Sequence, residues 1–429
     1  MSRNIVRGSV PIFFWRVSGA GLAFVTQIML ARWMGAAALG EYVLAFSWLL
    51  LLSIVAGAGL PNAAIRFVGI GRARGDQAYI QRFANTGAIA VLVTSVCVAA
   101  VGALLISATS GLVPEALVAP LLIAMLALPF FAITSFYLGV ANAHSWFSLS
   151  FIPNNFVRPL LFLIAVTVVW YWTSELTATR AMFLHLLALA LVTVVSVSLI
   201  RVRLANLERG PMPRGELRLW LRTGVPLLVV TLVSNYFAEL NVILLGGFLP
   251  SSDIAIFNAS YRVALLVAFG LFAVDAFIAP ELATLAAGDD KAKLQKIVMQ
   301  ATRLRTLGAL VALVFFALAG RQMLRLFGAE FVVGYPALML LTLAQLVHAA
   351  AGPGTRLLST SGHQDVCLPV FGVALALLAA LTILLVPRYG LTGAAMATFC
   401  AVACWSIGLA VMVVRYMHIQ PSILSLLKR

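Results

Sequence analysis

Arg16 and Arg262 stand inside long apolar runs, where an ionisable side chain costs about 2.5–3.5 kcal/mol to insert and faces an interior cavity or a partner. Arg262 is about eight residues into its run, roughly 12 Å along a helix at 1.5 Å per residue. Asn258 precedes it by one turn on the same face. Arg16 shares a helical face with Gly19, Ala20, Ala23 and Gln27, which makes a cationic stripe among small residues. A third ionisable group, Glu239, lies between Asn235 and Asn241. A guanidinium in a low dielectric holds an anion, or a neighbouring carboxylate, through charge-assisted hydrogen bonds. A carboxylate among amides takes a proton or an alkali cation, or closes a salt bridge. Arg16, Gln27, Asn258 and Arg262 are therefore the candidates for holding an anionic ligand, and Asn235, Glu239 and Asn241 for ion coupling. Structural roles stay open beside these: Arg16 can extend to the headgroups, and Arg262 can pair with Glu239.

Other reactive patterns are missing from the sequence. The five histidines are scattered, no H-E-x-x-H or Cys/His spacing forms a metal set, and Gly352-Pro-Gly354 lacks the lysine of a phosphate-binding loop. No cofactor is expected and no catalytic residue is assigned. Cys97, Cys367, Cys400 and Cys404 fall in or beside apolar runs without pairing spacing and read as core filler.

The elements that position these groups must be membrane helices. Sixty-two per cent of residues are hydrophobic and 10% charged, and from Ala116 to Val157 there is no Asp, Glu, Lys or Arg. A bilayer core of about 30 Å takes roughly 20 apolar residues per helix, and lipid satisfies no bare amide, so the spans are helical. Twelve fit, at 10–31, 39–60, 84–108, 116–140, 150–171, 181–201, 224–247, 254–280, 306–320, 336–358, 367–387 and 391–414. The formal charge of +15 reads as topology and not as nucleic-acid binding. Apart from Arg16 and Arg262 in spans, and Arg32, Arg180, Arg321, Arg325 and Arg388 on one side, the Lys and Arg residues fall in the N-terminus, the even-to-odd loops and the C-terminus. Arg158 and Arg305 are counted among these loop cations, and Asp275 is placed toward the same surface. The positive-inside rule puts that side, and both termini, in the cytoplasm. Arg3 and Arg7 before an apolar run mimic a signal peptide, but the run is span-length and no A-x-A site follows, so it reads as a retained first helix.

A basic segment from Arg201 to Arg222, with Pro211 and Pro213, divides the chain into 1–210 and 211–429, six spans each. Gly35-Ala-Ala-Ala-Leu-Gly-Glu-Tyr42 opens the second span and Pro250-Ser-Ser-Asp-Ile-Ala-Ile-Phe257 the eighth, a loose internal match. Even span numbers give the halves one orientation, the arrangement of a parallel repeat about an axis along the membrane normal. The polar Pro153-Asn-Asn-Phe-Val-Arg158 segment lines the cytoplasmic mouth or simply starts a helix, and Asp289-Asp-Lys-Ala-Lys293 reads as a solvated helix start.

Arg32-Trp-Met-Gly, Leu39-Gly-Glu-Tyr42, Gly59-Leu-Pro-Asn62 and Ile65-Arg-Phe67, with Asn241-Val-Ile-Leu-Leu-Gly246 and Asn258-Ala-Ser-Tyr-Arg262, resemble the polysaccharide and O-antigen flippases. These belong to the superfamily of multidrug, oligosaccharidyl-lipid and polysaccharide exporters. The resemblance implies an all-α integral membrane fold of about twelve helices, as a V-shaped pair of six-helix bundles related by a pseudo-twofold. It implies alternating access on an undecaprenyl-diphosphate-linked oligosaccharide, moved from the inner to the outer leaflet of a bacterial plasma membrane. Arg16 and Arg262 fall in helices that correspond to those whose arginines meet the substrate diphosphate in such flippases. Asn241 stands where many relatives carry an acid, a departure that bears on any ion site. The implied partners are the lipid-linked anionic oligosaccharide, membrane lipids, and a polysaccharide polymerase with its export machinery; no nucleic acid is implied. A multidrug or cation antiporter of the same fold is the alternative, and a membrane glycosyltransferase or polymerase a more distant one, since the external loops are short and hold only isolated acids.

Overall fold

The structure is a computed structural model. It describes the backbone at 3–109, 111, 113–205, 216–286 and 290–423, and within these the side chains except at 3–14, 16, 17, 229, 230, 233–235, 272, 273, 276, 277, 279, 280, 282–286 and 364. No strand occurs among the described residues. The helices are α1 (Arg3–Ala56), α2 (Leu60–Arg74), α3 (Gln77–Ala108), α4 (Glu115–Ala143), α5 (Phe147–Ile152), α6 (Arg158–Thr173), α7 (Ala178–Leu204), α8 (Glu216–Asn235), α9 (Phe237–Leu245), α10 (Ser251–Ala286), α11 (Lys291–Arg325), α12 (Tyr335–Ala350), α13 (Gly354–Thr360) and α14 (Cys367–Met417). A π-helical turn, Pro153–Val157, joins α5 to α6.

Nine helical segments among the described residues are long and apolar enough to cross a membrane. Two of them hold two spans each. In α1 the chain leaves helical geometry at Gly35 (φ 72°, ψ 173°), and in α14 at Gly390 (φ 52°, ψ −129°). A positive φ is open to glycine without a Cβ clash, so each is a reversal between spans. With α8 and α9 together forming one more, the protein is a twelve-span, all-α membrane protein.

Local chemistry sets the ends. Asp76 and Asp290 cap α3 and α11 by accepting from the amides of Tyr79 (2.7 Å) and Lys293 (2.9 Å). Left-handed Gly75 closes α2 behind Arg72 and Arg74. The ninth span, expected at 306–320, is the much longer α11, because the basic, polar turns before it continue the same helix. The tenth, expected to reach 358, stops at Ala350, where Gly352 (φ 89°) and Pro353 turn the chain before the separate α13.

The chain divides into two compact units, 1–240 and 241–429. The first is built on α4, which packs against α1, α2, α3 and α7 through fully buried Ala124, Leu128, Ala132 and Phe136. Phe67, Phe83 and Trp220 form an aromatic knot beside it. Trp33 of α1 stacks on Trp170 of α6, with centroids 4.8 Å apart and planes 13° from parallel. The second unit packs α10, α11, α12 and α14 around Val298, Leu357, Leu358 and Val413. Outward residues such as Leu104, Trp172 and Leu318 are exposed and apolar, as lipid contact requires. Cys97 corrects the expectation of buried cysteines: it is exposed on α3, whereas Cys367 is buried. Little of α3 is buried, so a small apolar side chain there meets lipid.

Candidate functional site

Three irregularities of the backbone converge within the first unit. At Ala58 (φ 47°) and Gly59 (φ 72°) the chain turns from α1 into α2. At Pro153–Val157 the helix widens, and the Arg158 amide reaches back to the Pro153 carbonyl. Pro153 has no amide hydrogen of its own to keep the ordinary ladder in register. At Tyr236 the seventh span breaks between α8 and α9. Non-helical backbone at membrane depth persists where it is buried in protein or lines a wet cavity, and π-turns recur at functional sites.

These three places line one cavity of about 580 Å³, within the size range of small-molecule sites, about 300–1,000 Å³. Its walls carry Asn62 from α2, Ser135 and Asn142 from α4, Ser150 from α5, Asn154 and Asn155 from the π-turn, and Thr231 and Tyr236. Asn62 donates to the Thr231 hydroxyl at 2.7 Å, and Ser150 donates to the Leu138 carbonyl at 3.0 Å. No Asp, Glu, Lys or Arg is among the described lining residues. The frame is held by backbone approaches that only glycine permits. A Cβ on Gly19 would strike the Asn155 carbonyl, one on Gly139 the Pro61 carbonyl, and one on Gly59 the backbone of Gly224.

Arg158 follows the π-turn directly. Its guanidinium lies 5.1 Å from the Phe131 ring centroid, and its Nη1 is buried without a hydrogen-bond partner. The hydroxyls of Tyr42 and Tyr236 and the ring of His185 lie within electrostatic reach of it. His185 is buried, 3.1 Å from the Tyr42 hydroxyl through Nδ1, and packed on Phe46 and Phe162. Tyr236 also feels the charge of Glu239. Sequence reasoning counted Arg158 with the loop cations although it fell within the fifth expected span; the structure places it at the start of α6, inside the first unit. The one signal for it was Pro153-Asn-Asn ahead of a cation in an otherwise apolar run.

The residues singled out from sequence distribute as follows. Gln27 is buried on α1 at 6% exposure. The side chains of Arg16 and Asn235 lie outside the described residues. Glu239 sits in the first turn of α9. In the second unit, Arg262 donates through Nε to Asn258 Oδ1 at 3.0 Å, one turn apart on α10. Asn241, 1% exposed, donates to the Thr398 hydroxyl of α14 at 2.8 Å. The structure thus joins Asn258 to Arg262, and it ties Asn241 to a residue the sequence gave no reason to choose. Asp275 and Arg305, assigned by sequence to the surface and a loop, form an ion pair at 2.7 Å whose guanidinium side chain is 1% exposed. No cluster of three or more His, Cys, Asp or Glu arranged to hold a metal occurs among the described residues.

The family described as "Polysaccharide biosynthesis protein" matches residues 5–276. Among solved structures, an inward-facing multidrug-resistance MATE transporter of the MOP superfamily shares 15% identity, with 94% of each chain covered and a TM-score of 0.76. The lipid II flippase MurJ in an inward closed conformation shares 14% identity over 95% of this chain and 87% of its own, with a TM-score of 0.74. A MOP-superfamily transporter from Pyrococcus furiosus shares 15% identity over 99% and 96%, with a TM-score of 0.64. A search of curated protein sequences returns no match. At these identities the structural likenesses establish the exporter fold.

Proposed function

The chain belongs to the polysaccharide biosynthesis protein family, and from that premise we propose that it carries an undecaprenyl-diphosphate-linked oligosaccharide from the inner to the outer leaflet of a bacterial plasma membrane by alternating access. The observation that supports this reading is the cavity between membrane helices whose polar lining is amides and hydroxyls, with no acid among the described residues. A carrier of cationic drugs needs carboxylates where its substrate sits. Here the ionisable groups found deep in the spans near polar partners include the cations Arg158 and Arg262, which suits an anionic lipid headgroup. A lipid II flippase of the same fold lends the same support.

In this reading Arg262, held by Asn258, and Arg16 with Gln27 engage the diphosphate, while the lipid tail stays in the bilayer. Each negative charge leaving an inside-negative cell gains about 2.3 kcal/mol per 100 mV, so the membrane potential assists outward transfer and an ion partner is not obligatory. Asn235, Glu239 and Asn241 are the proposed ion-coupling set. The repeat of two six-span halves, 1–210 and 211–429, and cytoplasmic termini belong to the same proposal, as do a polymerase and export machinery acting on the product.

The test is to delete the gene and measure lipid-linked oligosaccharides with leaflet resolution. Accumulation in the cytoplasmic leaflet is expected, reversed by the intact gene and not by Arg262→Glu, which should insert normally. Unchanged lipid intermediates together with new sensitivity to cationic dyes would replace the flippase with the antiporter.

A further inference from the structure

Four of the ten asparagines in the chain, Asn62, Asn142, Asn154 and Asn155, line this polar cavity of the first unit. They come from three separate elements, α2, α4 and the π-turn. A carboxamide presents a donor and an acceptor at fixed separation in one plane, a match for neighbouring hydroxyls or an acetamido group. Asn142, Asn154 and Asn155 are half-buried and Asn62 is exposed, so their carboxamides are accessible to an occupant of the cavity, with the Asn62 amide shared with the Thr231 hydroxyl. Among the described residues the lining contains no cation to hold a diphosphate, and its amides and hydroxyls stand among apolar side chains such as Ile54, Ile65 and Leu228. Phe151 and Tyr236 add aromatic rings, which suit the C–H face of a pyranose.

We infer that this cavity is a saccharide subsite, one that takes one or two uncharged sugar residues through the amides of Asn62, Asn142, Asn154 and Asn155. The inference rests on the transport reading for its choice of saccharide, and it separates recognition of the sugars from the holding of the diphosphate. The frame is rigid where glycines bring backbones together, so the pocket selects by shape, and the asparagines decide which sugar fits. Arg158 directly follows the π-turn, and its charge is within electrostatic reach of the Tyr236 hydroxyl.

The test uses the full chain in lipid nanodiscs, with Cys97, Cys367, Cys400 and Cys404 changed to Ser and Ser135→Cys as the reporter inside the cavity. The labelling rate by a small thiol reagent is read alone, with an uncharged disaccharide (one plain, one N-acetylated), and with inorganic diphosphate. Saturable protection by either disaccharide and none by diphosphate is expected. Asn154→Leu and, separately, Asn62→Ala should weaken that protection about two- to tenfold, the effect of losing one or two hydrogen bonds. Size-exclusion profiles and the unprotected labelling rate of each variant show whether it is folded. Protection by diphosphate instead, failure of both disaccharides, or full protection in both folded variants would overturn the subsite. These outcomes are independent of the deletion experiment: sugar protection with unchanged lipid intermediates would sink the transport reading alone, and the reverse would sink the subsite alone.

Discussion

Arg305 and Asp275 illustrate what a single buried charge demands. The Arg305 guanidinium is 1% exposed and its Nε has no hydrogen-bond partner, so the 2.7 Å contact with Asp275 is what compensates its burial. Removing one member of such a pair strands the other. Arg305→Met should lower stability by about 3 kcal/mol, whereas Arg305→Met with Asp275→Leu should recover most of it. Thermal unfolding of both variants in nanodiscs, followed by intrinsic fluorescence, checks this; equal loss in the two would deny the pair its role. At this scale the sequence was legible only over short separations. Asn258 and Arg262 are one helical turn apart, and their bond follows from that spacing alone. Asp275 and Arg305 are separated by thirty residues and a turn, and nothing in the string of residues sets the register of α10 against α11. Asn241 was visible as a buried amide, but its partner Thr398, on the far side of the second unit's sequence, was not.

Among the elements, helices were foreseeable and their interruptions less so. Hydropathy located the spans because a bilayer imposes one length on all of them. It could not distinguish a π-turn from a plain helix start at Pro153, so Arg158, though within the fifth expected span, was counted with the cytoplasmic loop cations. Glycine is equally opaque: Gly21 and Gly69 have open space where a Cβ would sit, while Gly19, Gly59 and Gly139 have backbone there, and in the sequence all five look alike. Gly139→Ala should push α4 away from the Pro61 carbonyl and cost about 1–3 kcal/mol as an overpacked contact. Gly69→Ala should be neutral or slightly stabilising, as expected for glycine inside a helix. Paired melting curves of the two variants measure the contrast. If Gly139→Ala melts like the parent, the close crossing at the cavity wall is not a structural constraint.

Over the whole molecule, the distribution of Lys and Arg predicts topology more simply than any contact does. The positive-inside rule then predicts that both termini are in the cytoplasm. A C-terminal green fluorescent protein should therefore fluoresce and a C-terminal alkaline phosphatase remain inactive; the opposite pattern would invert every leaflet assignment made for transport. Fold and family were readable because they rest on summed hydrophobicity and a few short motifs spread along the chain. The polar cavity was not, since it is assembled from α2, α4, the π-turn and the segment around Tyr236, which are distant in sequence. The stacked indoles of Trp33 and Trp170, on α1 and α6 of the first unit, give the molecule a spectroscopic handle of its own. At 4.8 Å and nearly parallel, their excited states couple, so sliding α1 along α6 changes the near-ultraviolet circular dichroism without any attached dye.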